Sequence, residues 1–544
     1  MDGVWDDLKA PVREAGQGGQ LNTFPEFSVA FWRWAMWKLF EAEGAPQRGV
    51  IGFITNRKFL TGWPYAGLRK MMRERFDRIE IVDLRGDVRA GLRGDITDDT
   101  GVFNIQVGTA ITIAIADGSK AEGVLADVTY TDAWAADHFS RRAKLAWLTA
   151  AAEAGTMAES LPVARGALDD MRPAPFGNGE WVSLRSCFSF ASSGLESKRD
   201  HVVYAPSADR LNVQIMSVLA LDGEAADAAF NSTGMNSAKD ARAVGFDGAL
   251  VRVASYRLLD RQHHYPHRRF NDRLRTQLSL AWGDSNVCLF SLPSKTGSGP
   301  ATVCLSGYPD RHAFRGSYGG YAFPLYDRRI SPEATNLSPV LLEHLAIAYG
   351  QPVSAEDVFD AILALLSATS YTRRFAEDLE DVFPHIPFPA DHDVLMRAVT
   401  VGRQIRTVET FARQPEARFR PAAFCRLATE PRADDVVGPA TMRDGAIDLC
   451  PDGRGRITGI PDAVWSFAVS GYRVLPRWIE GRRGLPADLA FVRELRDVAA
   501  RIAELIHRFD EADLVLNDTL ADTLMRAELG FPAPVEGGDA ADDD

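Results

Sequence analysis

The sequence predicts a mixed α/β chain in three parts: an incomplete α/β sheet layer, an irregular α+β region, and an α-rich C-terminal region. Three observations predict this. Helical and strand-like apolar segments alternate over the first 120 residues. A Pro/Gly-rich stretch, Leu161 to Trp181, then breaks the pattern and is followed by short segments with turn signals. Helical periodicity returns from Pro339.

The first element is Phe24–Gly44, whose Phe27, Phe31, Trp34 and Leu39 fall near helical spacing and give a thick aromatic face before a glycine stop. Gly49–Thr55 (GVIGFIT) is a near-continuous apolar run, the pattern of a strand buried on both faces. Pro64–Phe76 is a second helix, and Ile79–Leu84 and Thr109–Ala116 are two more strands. A strand, helix, strand unit makes parallel neighbours, and the last two strands, with no helix between them, pair antiparallel. The expected result is a parallel sheet ending in an antiparallel pair. Thr55, Asn56 and Phe59 follow the first strand at its C-terminal end, where open α/β sheets place ligands, and are candidate pocket residues. Strand termination with an asparagine helix cap is the competing reading.

Asp132–Glu159 is Ala-rich and helical. Turn signals SSG, PSKTGSGP and GSYGG punctuate the segments that follow as far as Tyr326. Helices are expected from Pro339 to about Val401, and the closing α-rich region, Pro421–Leu529, is interrupted by a β-like stretch near Trp465. The domain boundaries so read are 1–160, 161–420 and 421–530, with an acidic disordered tail at 531–544.

Composition narrows the function classes. No run approaches the ~18 apolar residues a membrane span needs, and the N-terminus lacks a secretory pattern, which places the protein in the cytoplasm without a membrane partner. The five cysteines are scattered and form no CxxC pair, as expected of buried free thiols. A net charge of −13 runs against a nucleic-acid partner. Local charge runs the other way. Between Arg252 and Arg275 stand seven arginines and two acids, Asp260 and Asp272. Arg257, Arg261, Arg268, Arg269, Arg273 and Arg275 of this island are candidate DNA contacts, since guanidinium forks suit phosphate oxygens and guanine edges. A helix face paired to acids elsewhere is the bland alternative. His263, His264 and His267 lie in the island with no acid or cysteine partner at metal-site spacing, so no metal is expected. Lys198 and Arg199, followed by Asp200, form a second candidate phosphate grip, against an ordinary solvated turn. Arg473 and Arg477 read equally well as structural ion pairs. Pro293–Pro300 and Pro451–Gly459 are glycine-rich but lack a strand-to-helix setting and read as loops.

Several blocks in order carry a resemblance: FSVAFWRWAMWKLFE and GVIGFITNRKFLTGWPYAGLRKMM, then IEIVDLRGD and VFNIQVGTAITIAI, then SSGLESKRDHVVY and ASYRLLDRQHHYPHRRFNDR, and finally SAEDVFDAILALLSATSYTRRFAEDLEDVFPHIPFP and WSFAVSGYRVLPRWIEGRRG. Together, from about Phe24 to Gly484, they resemble the C-terminal half of type ISP and related single-chain restriction-modification adenine methyltransferases. The resemblance implies an incomplete Rossmann-like methyltransferase sheet, an α+β target-recognition domain and an α-rich C-terminal domain. It implies double-stranded DNA as partner and S-adenosylmethionine as cofactor of the complete enzyme. The family's Asp/Glu-x-Phe-x-Gly-x-Gly cofactor loop and Asn-Pro-Pro-Tyr catalytic loop do not occur in this sequence. The catalytic loop is expected just upstream of Leu21. Without the groups that accept the adenine amine's hydrogens and stack on the flipped base, only scaffold is left. The expectation is therefore that this chain supplies recognition, with no catalytic residue of its own, and needs an N-terminal methyltransferase polypeptide. A non-catalytic DNA-binding specificity subunit of a restriction or defence complex is the alternative.

Overall fold

The computed structural model describes residues 3–14, 27–86, 99–283 and 286–532, apart from 104, 106, 122, 134–137, 158–159, 164–168, 174–179, 315–318, 377, 381, 421–423, 433, 440 and 451–452. The acidic tail expected after Phe531 therefore lies almost wholly outside the described residues. Two compact units divide between Glu180 and Trp181.

The first unit contains α1 (Gly3–Glu14), α2 (Phe27–Phe40), β1 (Gly49–Asn56), α3 (Ala66–Arg75), β2 (Arg78–Asp83), β3 (Thr109–Ala116), β4 (Asp127–Asp132), α4 (Arg141–Ala154) and β5 (Leu161–Pro162). The sheet order is β1-β3-β2-β4-β5. β1 and β2 run parallel to each other, as the α3 crossover requires, but they are not neighbours. β3 lies between them and pairs antiparallel with both, from Gly49 opposite Ala116 and from Arg78 opposite Ile115. The long connection before β3 allows this insertion, and the central position fills both of β3's hydrogen-bonding edges. β4, parallel to β2, takes the stretch just before the expected Ala-rich helix. The helix itself is Arg141–Ala154, capped by the Ser140 hydroxyl and stopped by Gly155 in the left-handed region.

Two expectations about burial are corrected. The α2 face that carries Phe27, Phe31 and Trp34 points outward, at 86%, 58% and 57% exposure, while Val29, Trp32, Met36 and Leu39 on the other face enter the core. β1 is an edge strand buried on neither face: its residues alternate between exposed and half-buried, with Val50 at 65%. An apolar run alone does not distinguish a strand covered on both sides from an apolar strand left at an edge.

α3 approaches α1 so closely that a Cβ on Gly67 would stand 1.9 Å from the Leu8 carbonyl oxygen. The buried Arg69 then donates to the Phe59 and Gly62 carbonyls at 2.9 and 2.8 Å, fixing the turn after β1.

In the second unit, one four-stranded sheet runs Tyr308–Pro309, Arg252–Arg257, Asp260–His264, Tyr204–Ala205. Another runs Thr302–Leu305, Cys288–Ser291, Tyr321–Pro324, Ser192–Ser193, and its first three strands pair antiparallel. The glycine-rich Pro293–Pro300 is the connection between two of those strands, a loop as read from sequence. Helix Ala355–Ser367 is buried on every side from Val358 onward and packs against helices His392–Glu409 and Leu489–Thr519. Gly402 permits that contact, since a Cβ there would lie 1.8 Å from the Asp360 carbonyl oxygen. The segment between Arg426 and Thr458, placed by sequence in an α-rich region, forms a small four-stranded sheet before the helices resume. All five cysteines are buried and free. No described helix is long and apolar enough to cross a membrane.

Glu409, at the end of its helix, is buried against the second sheet and accepts a hydrogen bond from the Cys304 amide at 2.6 Å. Its other oxygen has no partner. Burial pushes the carboxyl up to about 8, so the folded chain prefers the protonated form. The sign follows: the favourable contribution is complete below the unfolded value of 4.5 and is lost as the pH rises through about 8. Glu409→Gln is expected to flatten the fall of melting temperature across that window; a fall as steep as in the unaltered chain would contradict the assignment.

Candidate nucleic-acid interface

The basic island folds as a β-hairpin and the loop after it, not as a helix. Arg252–Arg257 and Asp260–His264 pair antiparallel, with a register shift at Asp260/Arg261 that lets Leu259 turn at φ 56°. The following loop is held from within. His264 Nε2 lies 2.9 Å from Asn271 Oδ1, and the Asn271 amide donates to the Tyr265 and His267 carbonyls at 2.9 and 3.0 Å. Burial lowers His264 to about 4, so it stays neutral and its ring serves packing. Among the described residues no group of histidine, cysteine or acid side chains is arranged to hold a metal ion.

The structure separates the candidate cations into four sets. Arg199 and Arg257 are interior. Arg199 is fully buried, pairs with Asp272 at 2.8 Å, donates to the Ser197 and Phe270 carbonyls and lies over the Phe230 ring. Arg257 is buried against Asp310 at 2.9 Å and stacks on Tyr256. Neither faces solvent. Arg261 points into a different cleft, beside Phe411.

Arg268, Arg269, Arg273 and Arg275 remain together and line one groove of about 950 Å³. Arg273 is placed by a reciprocal backbone pair with Glu196, at 2.9 and 3.0 Å, while its side chain is exposed. Arg268 is exposed too, and neither side chain meets an acceptor among the described residues. Arg269 has only a long contact with Asp240, at 3.9 Å. Arg275 is mostly buried at the groove floor, with Nε donating to the Gly194 carbonyl at 3.3 Å. Lys198 is more than half exposed and pairs with Glu196, outside the groove lining. Burial raises Glu196, but the hydrogen bonds and charges of Lys198 and Arg311 prevail and hold its carboxyl below the usual range.

Sequence reading missed Met235, Asn236 and Gln277, which share the groove with these arginines. Asn236 arrives through Asp272: its amide donates to the Asn271 carbonyl at 3.0 Å and to Asp272 at 3.2 Å. No local sequence signal marks it, because its partners lie 35 positions or more away.

The Thr55, Asn56 and Phe59 candidates fall apart differently. The Asn56 side chain caps a 3-10 turn by accepting from the Lys58 amide at 3.0 Å, and Phe59 is buried in the core cluster. Phe59 therefore presents no ring for a base to stack on, while the Thr55 hydroxyl is buried without a partner among the described residues.

A family model described as the Type ISP C-terminal specificity domain matches residues 186–505. The chain belongs to that family. The groove lies within the matched span. Three solved structures share the fold of this specificity domain and of the residues before it. A nuclease-deletion mutant of the Type ISP restriction-modification enzyme LlaGI in complex with a DNA substrate mimic matches at 18% identity over 88% of this chain and 40% of its own, TM-score 0.52. The ATP-dependent Type ISP restriction-modification enzyme LlaBIII bound to DNA matches at 19% identity over 88% and 33%, TM-score 0.53. A DrdV–DNA complex matches at 19% identity over 93% and 52%, TM-score 0.51. The chain thus spans between a third and about half of these proteins' lengths. No curated protein matches it.

Replacing Asp272 by Asn in the specificity domain leaves the buried Arg199 charge uncompensated, which is expected to cost about 3–5 kcal/mol. Urea unfolding should show the midpoint falling with an unchanged slope, and an unmoved midpoint would refute the role given to this pair.

Proposed function

We propose that this chain is the DNA-recognition portion of a site-specific adenine-N6 methyltransferase of a restriction-modification or phage-defence system. The observation that carries the recognition part is the groove: Arg268 and Arg273, exposed and without an acceptor among the described residues, stand together inside the span matched by a specificity-domain family. Exposed guanidinium groups suit duplex DNA, because they meet phosphate oxygens and read guanine by paired hydrogen bonds. The similar structures, each a complex with DNA or a DNA mimic, support the same partner.

The methylation part rests on the resemblance of the first unit to the sheet of such enzymes and on what that unit leaves uncovered. β1 pairs only with β3 among the described residues, so half of its backbone groups face outward. Beside it α2 is apolar on both faces, a pattern of helices enclosed on all sides. Edges of this kind are templates for further strands. We take further strands, supplied from outside these residues as by an N-terminal methyltransferase part, to carry the cofactor and catalytic loops, with S-adenosylmethionine bound there. The absence of both motifs from this sequence equally favours a second reading, a non-catalytic specificity subunit.

Two measurements separate these readings. Arg268→Ala with Arg273→Ala is expected to weaken duplex binding and, at about 0.9 counterions per lost phosphate contact, to reduce the salt slope by as much as ~2. Unchanged anisotropy titrations would remove the groove from the interface. In a methyl-transfer assay with labelled S-adenosylmethionine and adenine-unmethylated DNA, the chain alone should transfer nothing, and the chain with the product of the upstream reading frame should transfer to adenine. No transfer by the mixture would leave the specificity-subunit reading.

A further inference from the structure

A cleft of about 720 Å³ lies apart from the recognition groove, between the second strand of the basic hairpin, the Phe411 turn and helix Leu489–Thr519. Its walls are rich in guanidinium groups. Arg261 and Arg501 both stack on the Phe411 ring, each with its guanidinium carbon 4.1 Å from the centroid, and Phe411 adopts φ 59° to sit between them and the chain. The two differ in what they bind. Arg501 is buried, with Nε on Asp497 at 2.8 Å and Nη1 on the Val408 and Arg413 carbonyls at 2.9 and 3.0 Å. Arg261 has no hydrogen-bond acceptor among the described residues. Burial lowers its pKa, and the charge of Arg501 adds to that effect.

Arg482, 3% exposed, also lines the cleft; Nη2 meets Asp260 at 2.8 Å, but its Nε is buried without a partner. Arg493 stands exposed at the rim, equally without an acceptor among the described residues. Three acids oppose these cations, Asp260 being the one held by Arg482. Asp497 is taken by Arg501, and Glu494 is exposed. The cleft therefore holds an excess of positive charge with unfilled donors, a combination that an anion with several acceptor oxygens relieves.

We propose that this cleft is a second phosphate-binding site, seating a phosphate group on Arg261, Arg482 and Arg493. The aromatic walls favour phosphate over base. Phe411 is already covered by Arg261 and Arg501, and Trp478 by Arg482 at 3.7 Å, so the cleft offers charge and not stacking. The phosphate comes either from a duplex backbone or from a free phosphate compound. Only the first source rests on the DNA-recognition reading above.

The test uses the full chain in two arms. In the first, inorganic pyrophosphate is titrated calorimetrically at low salt into the unaltered chain, Arg261→Gln, Arg493→Gln, and the Arg268→Ala/Arg273→Ala double variant. At least a tenfold loss in both cleft variants, with the groove variant retaining a cleft site, is expected. Arg493 is exposed, so its variant stays informative if Arg261→Gln fails to fold. Loss confined to the groove variant, or no cleft-dependent binding, overturns the proposal. In the second arm, duplex binding is followed against salt. A slope reduced by about 1 in Arg261→Gln assigns the phosphate to the DNA backbone. An unchanged slope with pyrophosphate binding lost supports the cleft as a site for a free phosphate compound. A chain that binds no duplex at all sinks the recognition reading, while the pyrophosphate arm still decides the cleft.

Discussion

The arginine-lined groove depends on one buried charge pair, Arg199 with Asp272. Arg199 reaches from the turn after Ser197 into the loop that follows the basic hairpin, and its donors tie together Ser197, Phe270 and Asp272. Asp272 is in turn shared with Thr233 and Asn236. Three stretches of chain distant in sequence are thereby fixed around one carboxylate. A buried ion pair of this kind adds little net stability over an apolar substitute, yet loss of either member is costly. Its value here is positional. With Asp272 consumed from inside, Arg268 and Arg273 on either side of it have no acid to fold onto and face outward.

Much of the architecture was legible because it is written in short-range pattern. The strands Gly49–Asn56, Arg78–Asp83 and Thr109–Ala116 follow from apolar runs, and several blocks in order carried the resemblance to type ISP enzymes. What the pattern does not contain is neighbourhood. The insertion of β3 between β1 and β2 depends on a long connection that can run either way. β4 was missed because DVTYTD is half polar. The outward turn of Phe27, Phe31 and Trp34 was unreadable because both faces of α2 are apolar.

The same limit applied at the site. A run of arginines marks where charge is concentrated, but which guanidiniums stay exposed is decided by carboxylates elsewhere. Arg257 meets Asp310, 53 positions away, and Arg199 meets Asp272, 73 positions away. Neither pairing leaves a local trace. The groove's Asn236 is equally silent, since an asparagine before a short helix reads as an ordinary turn residue.

A chain with a net charge of −13 can still engage a polyanion if its charges are sorted by depth. Arg257 and Arg501 are each buried and matched to an aspartate, so they contribute almost no field outside. Among the described residues of the matched span, the groove holds Arg268 and Arg273 and the cleft holds Arg261 and Arg493, each without an ion pair. Acidic surface elsewhere repels phosphate and so narrows the approaches to those two places. Local excess, not total charge, then sets where a duplex can settle, because interactions between exposed charges are screened beyond about 8–10 Å at ordinary salt.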